Sequence, residues 1–181
     1  MYMIDLTDAV ALAIDFQTRL LPAMHDSEKL ESRVVRMIRG LNALEVPILV
    51  TTQYSKGLGP TTEPIQEVLD NAPTYEKNTF SALRNEEFRD ALAATGRKSV
   101  ILFGIETHIC VQQTALQLLE AGCQVTLIED CCGSRSSRDH ETAIRRLAAA
   151  GCTVTSYESI LFEMLEGSKS PGFKQISAIV K

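Results

Sequence analysis

The sequence has no block of lysine and arginine. Its 18 basic residues are outnumbered by 23 acidic ones, for a net charge of −5. The basic footprint of a nucleic-acid binder is therefore missing. No apolar run approaches the roughly 20 residues that span a bilayer, which argues against a membrane protein. The N-terminal stretch MYMIDLTD is acidic and lacks the charged-then-apolar pattern of an export signal, so a cytoplasmic location is expected. No C-x-x-C pair occurs, and the five cysteines (Cys110, Cys123, Cys131, Cys132, Cys152) are an odd number, with two of them adjacent. They read as reduced, buried small hydrophobes rather than a disulfide framework. Only Cys110 has a setting that asks for more. There is no internal repeat, low-complexity tract or linker, and 181 residues suit a single domain over 1–181 with a substantial core.

What is present alternates strand with helix. DAVALAIDF reads as a buried strand ending at Asp15. Leu30, Val34, Met37, Ile38, Leu41 and Leu44 then recur at helical spacing. Pro47 stops that helix and opens PILVTTQY, a second buried strand. SKGLGPTTEP, residues 55–64, is rich in glycine and proline and reads as a loop. IQEVLDNA is a short helix, PTYEKNTFSA an extended link with a short strand, and NEEFRDALAATG a helix closing on Gly96. SVILFG, CQVTLIED and CTVTSY follow as strands, separated by the helices THICVQQTALQLLEAG and SRDHETAIRRLAAAG. ESILFEMLEG and PGFKQISAIVK close the chain as helices. Buried strands alternating with amphipathic helices imply parallel pairing through long crossovers, with helices on both faces. The expected class is α/β: a three-layer α/β/α sandwich around a mainly parallel, six-stranded sheet.

In such sheets the ligand crevice lies beyond the C-terminal strand ends, where the strand order switches. That brings Asp15, Gln53 with Tyr54, residues 104–110, and Asp130 to one edge. Cys110 then falls in the first turn of a helix, where free N–H groups and the helix dipole lower a thiol's pKa. Thr107 is positioned to cap that helix. Asp15 is a candidate base for the thiol, and Lys77 a cation able to hold both charges. The plainer alternative has Cys110 packed in a helix, Asp15 capping a loop and Lys77 solvated.

The stretches AIDFQ around Asp15, YEKNTFSA around Lys77 and GIETHICVQQTA around Cys110 resemble, in order and spacing, the isochorismatase-like cysteine hydrolases. The likeness continues through PILVTTQYSKGLG and EDCCGSRS over nearly the whole chain. It implies an Asp–Lys–Cys triad made of Asp15, Lys77 and Cys110. It also implies a non-proline cis peptide at Ile105–Glu106 and an oxyanion hole from the backbone amides of Glu106 and Cys110. The implied chemistry is covalent acyl transfer on a small molecule, commonly at an amide C–N bond. Members that are nicotinamidases carry an Asp-x-His metal site after the second strand. Here TQYSKG stands at that place, and His25, His108 and His140 are scattered, so neither metal nor other cofactor is expected. The resemblance is to small single-domain members with unassigned substrates, often dimers or larger closed assemblies. The apolar tail from Ile160 to Val180 fits a homo-oligomer on that reading.

Phe16, Gln17, Gln53, Tyr54 and Phe80 flank the triad segments and are candidates to line the substrate pocket, with core packing the alternative for the aromatics. His108 lies two residues before Cys110, a spacing that does not share a helix face, so it is expected to point away or line the rim. Arg135 reads either as a bidentate partner for a substrate carboxylate or as a brace on Asp130 or Glu129. Two rival functions remain on the same scaffold. One is a redox-sensing or ligand-binding protein with an oxidisable Cys110. The other is a flavodoxin-like nucleotide binder, disfavoured because DFQTRL after the first strand lacks a glycine-rich phosphate turn.

Overall fold

The computed structural model describes residues 3–181; Met1 and Tyr2, the head of the N-terminal stretch read above, lie outside them. Six strands are formed: β1 (Ala9–Ile14), β2 (Ile48–Gln53), β3 (Thr74–Lys77), β4 (Ser99–Ile105), β5 (Gln124–Gly133) and β6 (Thr153–Thr155). They make one sheet in the order β3-β2-β1-β4-β5-β6, and every pairing is parallel. β1 and β4 are buried along their whole length. Both faces of a central parallel strand are covered, which is why AVALAI and SVILFGI show no polar alternation.

The helices are α1 (Ser27–Ala43), α2 (Ser55–Leu58), α3 (Glu63–Leu69), α4 (Glu86–Ala94), α5 (Gln112–Glu120), α6 (Ser137–Ala150), α7 (Tyr157–Leu165) and α8 (Phe173–Ile179). α1 buries Leu30, Val34, Met37, Ile38 and Leu41 and packs with α3, α7 and α8 on one face. α5 packs with α6 on the other, as right-handed crossovers running in opposite directions require.

The chain moves outward from β1 to β2 and β3, crosses back to β4, and moves outward again to β5 and β6. The order reverses between β1 and β4, the position at whose C-terminal strand ends open α/β sheets place a ligand crevice.

Several boundaries differ from expectation. The segment read as a loop over 55–64 begins with one helical turn, α2, because Gly57 and Leu58 N–H groups both find the Tyr54 carbonyl, at 2.9 and 3.0 Å. β5 runs past Asp130 to Gly133, where a register shift between Leu102 and Gly104 lets β4 pair again with Cys132 and Gly133. The helix expected from Thr107 starts as a π-helical turn over Thr107–Val111 before α5. In the tail, Ile160, Leu161, Met164, Leu165 and Ile176 are buried within the chain itself, because α7 and α8 pack on α1. The surface first assigned to a second copy is thus largely spent inside one chain.

Candidate active site

Asp15 is the first residue beyond β1 and takes a left-handed conformation, φ 59°. Its N–H still bonds the Thr51 carbonyl at 3.1 Å, but the positive φ turns the chain out of the sheet. Aspartate is one of the few non-glycine residues at home there.

Lys77 ends β3, two strands away, and its side chain reaches back across the end of β2. Nζ donates to Asp15 Oδ2 at 2.6 Å, to Gln53 Oε1 at 2.7 Å and to the Thr79 carbonyl at 3.3 Å. The other carboxylate oxygen, Asp15 Oδ1, accepts from Thr51 Oγ1 at 2.7 Å. All three ammonium protons and both carboxylate oxygens are therefore engaged, and both side chains are 0% exposed.

Cys110 sits in the π-helical turn, buried. Asp15 and Lys77 both act on its thiol, by charge and by short-range contact. Burial is the largest influence and pushes the thiol up to about 12, the Asp15 carboxylate adds to the rise, and the Lys77 ammonium opposes it. This corrects the expectation of a lowered pKa: water exclusion and a neighbouring carboxylate outweigh the helix terminus. At neutral pH the resting group is a thiol beside the buried Asp15–Lys77 contact.

The Ile105–Glu106 peptide is cis. The Glu106 N–H makes no backbone hydrogen bond among the described residues. Its buried carboxylate accepts from Arg135, Oε2 from the backbone N–H at 3.0 Å and both oxygens from Nε at 3.1 Å. Arg135 is thus a brace, on Glu106 and not on Asp130 or Glu129, because the extended β5 carries it past those side chains to the turn that holds Cys110. Asp130 instead accepts the Tyr157 N–H at 2.9 Å. Thr107 does not cap the helix; its hydroxyl meets His140 Nδ1 at 2.9 Å. His108 Nδ1 lies 2.9 Å from Ser134 Oγ, which engages its ring away from a dyad with Cys110.

The pocket candidates divide. Phe16 is 2% exposed and packs on Phe103 with ring centroids 6.0 Å apart, so it belongs to the core. Gln17 is also fully buried and is consumed by framework bonds described below. Gln53 touches Lys77, while Tyr54 and Phe80 stand exposed at 51% and 53%. Thr51 and Thr79 were not anticipated; in sequence they are two threonines among many, and only the sheet register shows one facing Asp15. No group of three or more histidine, cysteine, aspartate or glutamate side chains suited to a metal ion occurs among the described residues. No helix among them is long and apolar enough to cross a membrane.

The isochorismatase domain profile matches residues 9–159, a span that takes in Asp15, Lys77 and Cys110. The chain belongs to the isochorismatase family. Isochorismatase domain-containing protein 1 of Salmo salar is 37% identical over 172 residues, covering 95% of this chain and 60% of that protein. The chain thus spans 60% of the length of that relative and 61% of its Danio rerio counterpart. Among solved structures, MAR1 ribonuclease from Caenorhabditis elegans superposes with a TM-score of 0.93 at 32% identity, covering 99% of this chain and 92% of that one. YcaC from Pseudomonas aeruginosa, solved with hexane-2,5-diol and covalent acrylamide, gives 0.92 at 27% identity, covering 98% and 91%.

Proposed function

We propose that this isochorismatase-family chain is a metal-independent cysteine hydrolase that cleaves an amide-type C–N bond in a small molecule. The observation that carries the proposal is the Asp15–Lys77 pair, wholly buried beside the Cys110 thiol. Burying two charges costs several kcal/mol per ion before their attraction offsets it, and such pairs at a strand-end crevice are characteristic of reactive centres. The covalent acrylamide on the Pseudomonas aeruginosa relative is in keeping with a nucleophile on this fold, since acrylamide is an electrophile.

In the proposed reaction, Asp15 accepts the thiol proton as Sγ forms its bond to the carbonyl carbon. The resulting oxyanion is held by the N–H groups of Glu106 and Cys110; loss of one such donor typically costs about 100- to 1000-fold in rate. The C–N bond then breaks, and the proton held by Asp15 passes to the departing nitrogen. Water, deprotonated by Asp15, attacks the thioester, releases the acid and restores the thiol. Lys77 balances the negative charge as it moves between Asp15 and Sγ.

A redox sensor is disfavoured because sensing thiols are low in pKa and exposed, whereas Cys110 is buried and raised to about 12. The ribonuclease description belongs to the nematode protein; a net charge of −5 is a poor footing for a polyanionic substrate. A homo-oligomer is part of the proposal, supported by Phe162, Phe173, Ile179 and Val180, which the fold buries only in part. Light scattering giving one 19.9 kDa chain, unchanged on dilution, would overturn that part. The function itself is tested by screening small amides against wild type and Cys110→Ala. Turnover that survives the substitution would exclude Cys110 as nucleophile.

A further inference from the structure

Where β1 leaves the sheet after Asp15, the last residue of β2 loses its strand neighbour on that side. The side chain of Gln17 takes over. Its Oε1 accepts the Gln53 N–H at 2.7 Å, and its Nε2 donates to the Gln53 carbonyl at 2.9 Å and to the Gly59 carbonyl at 2.7 Å. The amide thus pairs with Gln53 on both sides of its Cα, as a strand would, and adds the α2 loop to the clamp. Gln17 is 0% exposed, so this bracket has no solvent to compete with it. The backbone of Gln53 is fixed from behind.

The side chain of Gln53 is fixed from the front. An ammonium has three donors and no acceptor, so Lys77 Nζ at 2.7 Å must face the oxygen of the Gln53 amide. The NH2 end is thereby turned away from Lys77. Among the described residues it makes no hydrogen bond, and Thr62 Oγ1 is the one fully buried side-chain N or O atom without a partner, so Gln53 Nε2 is not sealed from solvent. Gln53 Nε2 is therefore an oriented, solvent-accessible donor beside the Asp15–Lys77–Cys110 cluster.

Resting on the hydrolase reading above, we propose that Gln53 Nε2 orients the substrate by donating to a neutral acceptor, a carbonyl or ring nitrogen, close to the scissile carbon. Gln17 is the positioning residue that holds it. The substrate class is narrowed accordingly. The charges nearest the thiol are internally matched, Lys77 by Asp15 and Arg135 by Glu106, so the preferred molecule is an uncharged amide with a second hydrogen-bond acceptor.

The test uses alkylation of Cys110, which needs no turnover and no known substrate. Iodoacetamide carries a carbonyl acceptor; methyl iodide carries none. The measured quantity is the ratio of their rates at Cys110, followed by mass mapping of the intact chain. Changes in thiol ionisation affect both reagents alike and cancel in the ratio. Gln53→Glu keeps an oxygen for Lys77 but removes the donor, and Gln53→Met removes both. Each should lower the iodoacetamide-to-methyl iodide ratio about tenfold, the worth of one good hydrogen bond. Gln17→Met should lower it by a smaller factor while the chain stays folded by circular dichroism. An unchanged ratio in both Gln53 variants would overturn the role of Gln53, and an unchanged ratio in Gln17→Met alone would overturn the positioning role. A ratio that responds while no amide is hydrolysed would overturn the reaction and leave the role of Gln53 standing, which separates the two. Cys110 inert to both reagents in the wild type would overturn the two together.

Discussion

The Lys77 ammonium lies 2.6 Å from the Asp15 carboxylate, and neither side chain reaches solvent. Removing one partner strands the other charge, which typically costs about 3–5 kcal/mol. Lys77→Met should therefore lower stability in that range by urea unfolding. The double variant Asp15→Asn with Lys77→Met, which retains a residue tolerant of the left-handed turn, should lose less than Lys77→Met alone. A double variant whose loss equals the sum of the Asp15→Asn and Lys77→Met losses would show that the pair is not energetically coupled.

Asp15 raises the Cys110 thiol and Lys77 lowers it. Asp15→Asn should then move thiolate formation down from about 12, since the ammonium would have the thiolate as its remaining counter-charge. On the proposed mechanism hydrolysis should nonetheless be lost, because no base remains to take the proton during attack. Ultraviolet titration of the thiolate checks the first half and an amide assay the second. A thiol titrating higher in Asp15→Asn would contradict the electrostatic picture.

Stability should fall in alkali. Burial pushes Cys132 up to about 12 and Cys152 to about 11, from an ordinary value of 9.0, and raises Cys131 well above it too. The folded chain holds these protons more tightly than the unfolded one. Their contribution is complete below the unfolded value and drains away as pH rises through the folded values. Each such group removes about 1.4 kcal/mol per pH unit within that window. Urea midpoints measured across it should decline, and Cys132→Ala should make the decline shallower. A slope identical to wild type would exclude Cys132 as a contributor.

Gly104 has φ 152°, and a Cβ there would stand 2.6 Å from the Ile14 carbonyl oxygen and 2.9 Å from its Cα. Gly104→Ala should force β1 and β4 apart at the crevice, costing about 1–3 kcal/mol and slowing Cys110 alkylation. Gly122→Ala is the control: its φ is 80°, but nothing lies within 4 Å of the added methyl. Alkylation slowed equally in both variants would mean that the Gly104 contact has no special bearing on the nucleophile turn.

The order of strands and helices was legible because buried parallel strands and amphipathic helices each print a pattern on contiguous residues. So was the shared edge of Asp15 and Cys110, since both follow strands that the switch-point rule brings together. The thiol's ionisation was not legible. It depends on how much protein closes over Cys110, and no local spacing reports that. Arg135 was read against its sequence neighbours Asp130 and Glu129, but β5 runs on to Gly133 and delivers it to Glu106. Gln17 looked like a pocket residue because it lies two positions from Asp15. Its side chain instead does the work of a missing strand, a role visible only once β1 is seen to end.

The reversal of strand order between β1 and β4 has a further effect on how the molecule can change. The charge pair belongs to the chain before the crossover back to the centre, and the thiol with its turn belongs to the chain after it. The crevice is thus a seam between two separately wound portions. Substitutions on one lip can reshape what enters without rebuilding the other, so the crevice can be retuned while Asp15, Lys77 and Cys110 keep their geometry.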